Sequence, residues 1–298
     1  MAHPQTDRLG RATFHYIAPE RHVRPTAREL RWLKHIERHG PQSSQYLYEL
    51  TRDTHRCRDT ALRQMQKLRA GGYLCLPPQQ RATERAEFNP YIYDLTDRAH
   101  DHLAELGLAE PTHRPTGHWW HAYLTACVTS SIDICAAHAG IRYIPAHEIL
   151  NRSGASIAIP HGPSTLIPDQ LFALDYDGRY RAFALEVDRG TEPKTSPANR
   201  KSWARTIAQY DDILANETYK SHYGLKANLV VLWVFTSRSK QERFLALMRD
   251  RPVAADKAVL TQAMLSVRCG GGLSGVARRL FEKPWERVNA SEVSICEV

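Results

Sequence analysis

Long apolar runs are missing from this chain of 298 residues: no stretch approaches the roughly 20 apolar residues that spanning a bilayer requires. The segment from Met1 to Arg8 also lacks the apolar core of a secretory signal. Cysteine is scarce and scattered, at 57, 75, 127, 135, 269 and 296, with no CxxC pair. That pattern argues against both a zinc ribbon and a disulfide framework and suits a reducing compartment. The fifteen histidines are spread along the chain. His118 and His121 flank Trp119-Trp120 at a spacing that suits neither one face of a helix nor one face of a strand, so they are set aside as a metal site. No internal repeat is visible. These absences predict a cytoplasmic protein that does not engage a membrane.

What is present is an ordinary globular composition, 42% apolar and 24% charged, with length enough for two domains. The formal charge of +8 is unevenly distributed. Residues 21–85 hold fourteen Lys/Arg against six Asp/Glu and so carry the whole excess. Concentrated basic charge is the footprint of a polyanion binder, and a solvated basic face is the plain alternative. The order of elements in the segment favours the binder. Residues 27–38 place Leu30, Leu33 and Ile36, with Trp32 beside them, at helical spacing. Gly40-Pro41 stops this helix, and Ser43 or Ser44 can cap a second one bearing Tyr46, Leu47 and Leu50. A third helix over about 56–70 has Ala61, Met65 and Leu68 as its apolar stripe and ends at Gly71-Gly72. Strands at 73–76 and 91–95 and a helix over 96–106 complete the unit.

This order resembles a winged helix-turn-helix, which predicts an N-terminal DNA-binding domain over residues 21–106 and a turn-prone linker at 107–116. On the third helix Arg56, Asp59, Thr60, Arg63, Gln64 and Lys67 occupy the face left free by the stripe. Arg63 and Gln64 suit base edges, whereas Arg56, Arg58 and Lys67 suit phosphates. The loop 77–85 is the expected wing, with Arg81 and Arg85 near a groove or the backbone.

The second domain, residues 117–298, carries the carboxylates. A strand-forming run over 164–174 and another over 180–188 are joined by Asp177-Gly178, a pair that favours a tight hairpin turn. Strand side chains alternate, so Glu186 and Asp188 point to one face, where Asp169 on the first strand can reach them. Carboxylates gathered so closely repel unless a cation sits between them, which makes one or two Mg²⁺ or Mn²⁺ ions the expected cofactor. The polar face of an ordinary hairpin is the plain alternative. A helix over 119–137, a helix bearing residues 205–214, an unalternating apolar run over 228–235 and a helix over 239–249 imply an α/β fold with a mixed sheet.

Helix, acidic hairpin, helix, buried strand and helix resemble the PD-(D/E)xK restriction-endonuclease-like core. The phrase EVDRGTEP, followed by a helix bearing Gln209-Tyr210, resembles more specifically the replication-relaxation family, which includes conjugative relaxases of the MOBC class. The resemblance covers roughly residues 25–250 and leaves the last fifty unassigned. It implies that Asp169 and Glu186 are metal-ligating acids and that the Val187 carbonyl is a further ligand. Asp188 stands where the superfamily has a lysine; it can add a metal ligand but cannot replace a cation. Lys194, Lys201 or Arg189 would then supply the missing charge. Gln209 and Tyr210 match residues near such sites, while the helix pattern alone reads them as a surface Gln and a core Tyr. Glu148 and Glu192 read as exposed loop carboxylates.

The expected function is metal-dependent nicking of DNA by a relaxase or endonuclease at a transfer or replication origin, in conjugation and plasmid mobilisation. The expected partners are double-stranded DNA, locally single-stranded at the cut, and relaxosome or coupling proteins. The rival is an inactive DNA-binding accessory or replication-control protein on a degenerate nuclease scaffold.

Overall fold

The computed structural model describes residues 17–82, 90–110, 113, 118–190, 192–196, 201–250, 254–264 and 275–297. It divides into two compact units, Met1–Pro111 with Ser274–Val276, and Thr112–Leu273 with Ala277–Val298. Among the described residues no helix is long and apolar enough to cross a membrane.

In the first unit α1 (Ala27–His39) starts at Thr26, whose side chain accepts the Glu29 N–H while the Glu29 carboxylate accepts the Thr26 N–H. This capping box satisfies two backbone donors that the first turn leaves without partners. Trp32, Leu33 and Ile36 form its buried stripe, and Leu30 is only partly buried. The Trp32 indole N–H is satisfied in the core by the Leu47 carbonyl at 2.7 Å and Thr51 Oγ1 at 2.8 Å. Strand β1 (Gln42–Ser43), helix α2 (Ser44–Leu50) and helix α3 (Arg58–Ala70) follow. Ala61, Met65 and Leu68 face inward from α3, as their spacing predicts. Strands β2 (Leu74–Cys75) and β3 (Ile92–Leu95) then complete a small antiparallel sheet in the order β1-β3-β2, before α4 (Asp97–Glu105).

The second unit is built on a seven-stranded mixed sheet. Its elements run α5 (Trp119–His138), β4 (Arg142–Pro145), α6 (Ala146–Ser153), the small hairpin β5 (Ile159–His161) and β6 (Ser164–Leu166), then β7 (Gln170–Tyr176) and β8 (Arg179–Asp188). They continue with α7 (Trp203–Ala215), α8 (Thr218–Tyr223), β9 (Leu229–Phe235), α9 (Arg238–Arg249), β10 (Val259–Ala263), α10 (Arg279–Glu282), β11 (Trp285–Arg287) and β12 (Ala290–Val293). The sheet order is β12-β11-β10-β9-β8-β7-β4. Strands β8, β9 and β10 are parallel and the remaining pairings antiparallel. Strand β9 lies between two parallel neighbours, the place its unbroken apolar run calls for. The last fifty residues, unassigned from sequence, supply β10 to β12 and widen the sheet.

One strand differs from expectation. The run 164–174 is divided: Ser164–Leu166 pairs with β5, and β7 begins only at Gln170. Pro168 lies at the break, where its missing N–H cannot donate to a ladder. The tight turn is as expected, with Asp177 at φ 57° and Gly178 at φ 84°, the positive pair a two-residue hairpin needs.

Candidate functional site

Register sets the centre of the site. Gln170 pairs with Leu185 across the β7–β8 ladder, so Asp169, one residue earlier, falls opposite Glu186. The Val187 N–H donates to Asp169 Oδ2 at 2.7 Å and fixes that carboxylate against β8. Both acids are buried, Asp169 at 8% and Glu186 at 1% exposed. Two buried carboxylates face to face are unstable without positive charge, and two groups supply it. Lys201, just ahead of α7, places its ammonium 2.8 Å from Glu186 Oε2, 3.8 Å from Asp169 Oδ1 and 3.4 Å from Glu192 Oε1. His121, from the first turn of α5, places Nε2 3.0 Å from Asp169 Oδ1. The Tyr210 hydroxyl donates to Glu186 Oε1 at 2.8 Å.

Helix α7 organises the inner side. Its Trp203 and Tyr210 stand two turns apart on one face and meet two residues of β8 that also share a face. Tyr210 takes Glu186, and the Trp203 indole N–H donates to Asp188 Oδ2 at 2.8 Å. The second Asp188 oxygen accepts the Gly190 N–H. Asp188 is therefore held by the helix and by its own turn, while Glu186 and Asp169 share Lys201. The carbonyls of Pro193 and Lys194 accept the N–H groups of Trp203 and Ala204, which satisfies donors of the first turn of α7 and fixes where Lys201 enters.

The two facing acids titrate differently. Burial raises Glu186 to about 7, against the pull of the Lys201 charge, and the neighbouring Asp169 adds to the rise. Burial acts on Asp169 in the same sense, but the His121 hydrogen bond and the Lys201 charge outweigh it and hold the group below the usual carboxylate range. Burial opposes the charged forms of Lys201 and His121, yet the surrounding carboxylates outweigh it and raise both. Burial also raises Glu192, whose Oε2 is enclosed without a hydrogen-bond partner. The arrangement separates one firmly ionised acid from one poised near neutrality, beside a fixed cation.

Of the residues singled out from sequence, Asp169, Glu186, Lys201 and Tyr210 come together. Val187 joins them through its N–H. Lys194 is exposed and contributes its carbonyl, and Gln209 is half-buried on α7, rotated by about 100° from Tyr210. Arg189 places a guanidinium nitrogen 3.3 Å from His118 Nδ1. Glu148 is paired with Arg142 at 2.6 Å. Two residues of the centre were passed over: His121, set aside on spacing, and Glu192, read as a loop carboxylate. His121 was discounted as half of a histidine pair, whereas its partner is a carboxylate 48 residues away.

In the first unit Arg56, Arg58, Arg63 and Lys67 are exposed and Thr60 is half-buried. Arg63 Nε donates to the Asp59 carbonyl at 3.4 Å. Gln64 is half-buried, and its carboxamide oxygen is enclosed without a partner. The side chain of Arg81, and Arg85 altogether, lie outside the described residues.

Fold and site together define an α/β protein whose mixed sheet bears a centre of buried carboxylates with a lysine and a histidine against them. The chain belongs to the replication-relaxation family: the sequence model of that family matches residues 33–229, a span that contains every residue of the centre. Comparison with curated proteins and with solved structures gives no match.

Proposed function

We propose that the protein is a divalent-metal-dependent DNA endonuclease of the relaxase kind, which nicks DNA at an origin of transfer or replication. The observation that carries this reading is the convergence of Asp169, Glu186 and Lys201 from a loop, a strand and the residues just ahead of a helix. The order α5, β4, β7, β8, α7, β9, with β8 parallel to β9, supports a PD-(D/E)xK-like core. In such a core the two acids are expected on adjacent strands and a lysine near the second. Lys201 provides from the start of α7 the cation that Asp188 cannot provide from β8. The three helices, small sheet and basic α3 support a winged helix-turn-helix as the duplex-binding unit.

The donors fit Mg²⁺ or Mn²⁺. All are oxygens, as hard cations prefer, and the enclosed Glu192 Oε2 has a free acceptor. Asp169 and Glu186 would hold the ion, with the Val187 carbonyl and Asp188 as further oxygens. Such an ion lowers the pKa of a bound water and holds a non-bridging phosphate oxygen. The chain's own groups do the rest. His121 and the Val187 N–H keep Asp169 oriented and ionised, Tyr210 orients Glu186, and Lys201 offsets charge that builds on the phosphate.

The test is nicking of supercoiled plasmid carrying the native locus, with Mg²⁺ or Mn²⁺. Wild type is expected to nick at a mapped site. Asp169→Ala, Glu186→Ala and Lys201→Ala are each expected to lose roughly 10²-fold or more of the rate. Retained duplex binding without any nicking would move the protein to the rival class of DNA-binding accessory proteins.

A further inference from the structure

We propose that the first turn of α5 and Arg189 form a subsite for unpaired DNA beside the centre. A base lies on the Trp119–Trp120 pair, and the adjoining phosphate on Arg189 and His118. The proposal rests on the endonuclease reading and names the state in which that centre takes its substrate.

Tryptophan in this chain is otherwise a core residue. Trp32, Trp203, Trp233 and Trp285 are each exposed by 1% or less, whereas Trp119 and Trp120 are only half-buried. The pair is firmly built. The two rings meet edge to face at 4.7 Å, and Trp119 stacks on the buried Tyr123 at 5.3 Å with an interplanar angle of 11°. Partly exposed yet rigid aromatic surface is what a nucleobase stacks on, at little ordering cost.

Position ties the pair to the centre. His118 caps α5 and lies against Arg189, while His121 in the same turn holds Asp169. These four consecutive residues rise only about 4.5 Å from first to last along the helix. Arg189 is held in place by its neighbours. The Gly190 N–H is taken by Asp188, the Gly190 carbonyl accepts from Lys240 Nζ at 3.0 Å, and Gly190 has φ 87°. The guanidinium is thus presented from a braced turn. The Arg189 cation beside partly exposed aromatic rings matches a single strand, whose phosphates and unstacked bases are both available. A duplex hides its base faces. An apolar protein partner would leave the Arg189 guanidinium without counter-charge.

The experiment measures anisotropy of a labelled oligothymidylate with the full chain in EDTA, in the presence of excess unlabelled duplex to occupy the basic unit. The combined W119A/W120A variant is expected to weaken single-strand binding roughly fivefold or more. W119F/W120F should keep most of it, and R189A should weaken it and flatten its salt dependence. The proposal fails if W119A/W120A, folded as wild type by circular dichroism, binds as tightly as wild type. It also fails if R189A leaves affinity and salt dependence unchanged, or if the tryptophan variants alter self-association alone. Binding in EDTA does not depend on cleavage. A chain that binds through these residues without nicking would overturn the endonuclease reading, and one that nicks without such binding would overturn the subsite.

Discussion

Asp169 and Glu186 are carboxylates of similar chemistry in one buried volume, and their surroundings drive them apart. Asp169 receives an N–H, an imidazole and part of an ammonium; Glu186 receives a lysine and a phenol but also faces Asp169. The groups that hold these acids carry stability as well as function. Tyr210→Phe removes a donor from a buried carboxylate, and the expected cost is about 1–3 kcal/mol in urea denaturation, with far-UV circular dichroism unchanged. Trp203→Phe should cost a similar amount by stripping Asp188 of its indole donor. A more distant residue predicts pH behaviour. Tyr176 donates to the Ile295 carbonyl at 2.6 Å, and burial pushes its phenol up to about 12. Between the ordinary tyrosine value near 10 and about 12 the unfolded chain has lost a proton that the folded chain keeps, so stability must fall as pH rises through that window. Tyr176→Phe should flatten this fall in melting curves taken from pH 9 to 11.

Elements were legible wherever the signal is local. The α3 stripe, the Asp177-Gly178 turn and the two-sided burial of β9 all follow from residues within a few positions of one another. Their energetics are local too. Gly178→Ala forces a Cβ into the left-handed region at φ 84° and is expected to cost roughly 1–2 kcal/mol by denaturant titration. Thr26→Ala should cost about 1 kcal/mol by undoing the cap of α1. Strand β7 was less legible because one proline divides an apolar run that pattern alone reads as continuous. Helix α5 shows the opposite difficulty: it is buried on nearly every face, so no stripe marks which residues of its first turn look toward the acids.

At the scale of the whole molecule, charge and chemistry occupy different parts of the chain. The basic excess lies in residues 21–85, and the acid–lysine centre lies in the second unit. Duplex affinity should therefore fall linearly with the logarithm of salt concentration. Lys67→Ala and Arg58→Ala should each reduce that slope by about one, uniformly across DNA sequences, while Arg63→Ala should also relax sequence preference. The sequence by itself determined the alternation of Glu186 and Asp188, the turn that folds β7 back on β8 and so brings Asp169 opposite Glu186, and the order of helix, hairpin, helix, buried strand and helix, because each depends on neighbours along the backbone. Only the tertiary structure decided that Lys201 and not Lys194 or Arg189 lies against the acids, and that His121 and Glu192 belong to the centre. The physical reason is that each of these depends on the path of a connecting segment, and a backbone that leaves a strand carries no local signal of where it returns. Asp188 shows both limits: alternation placed it on the right face, and the packing of Trp203 decided what it holds.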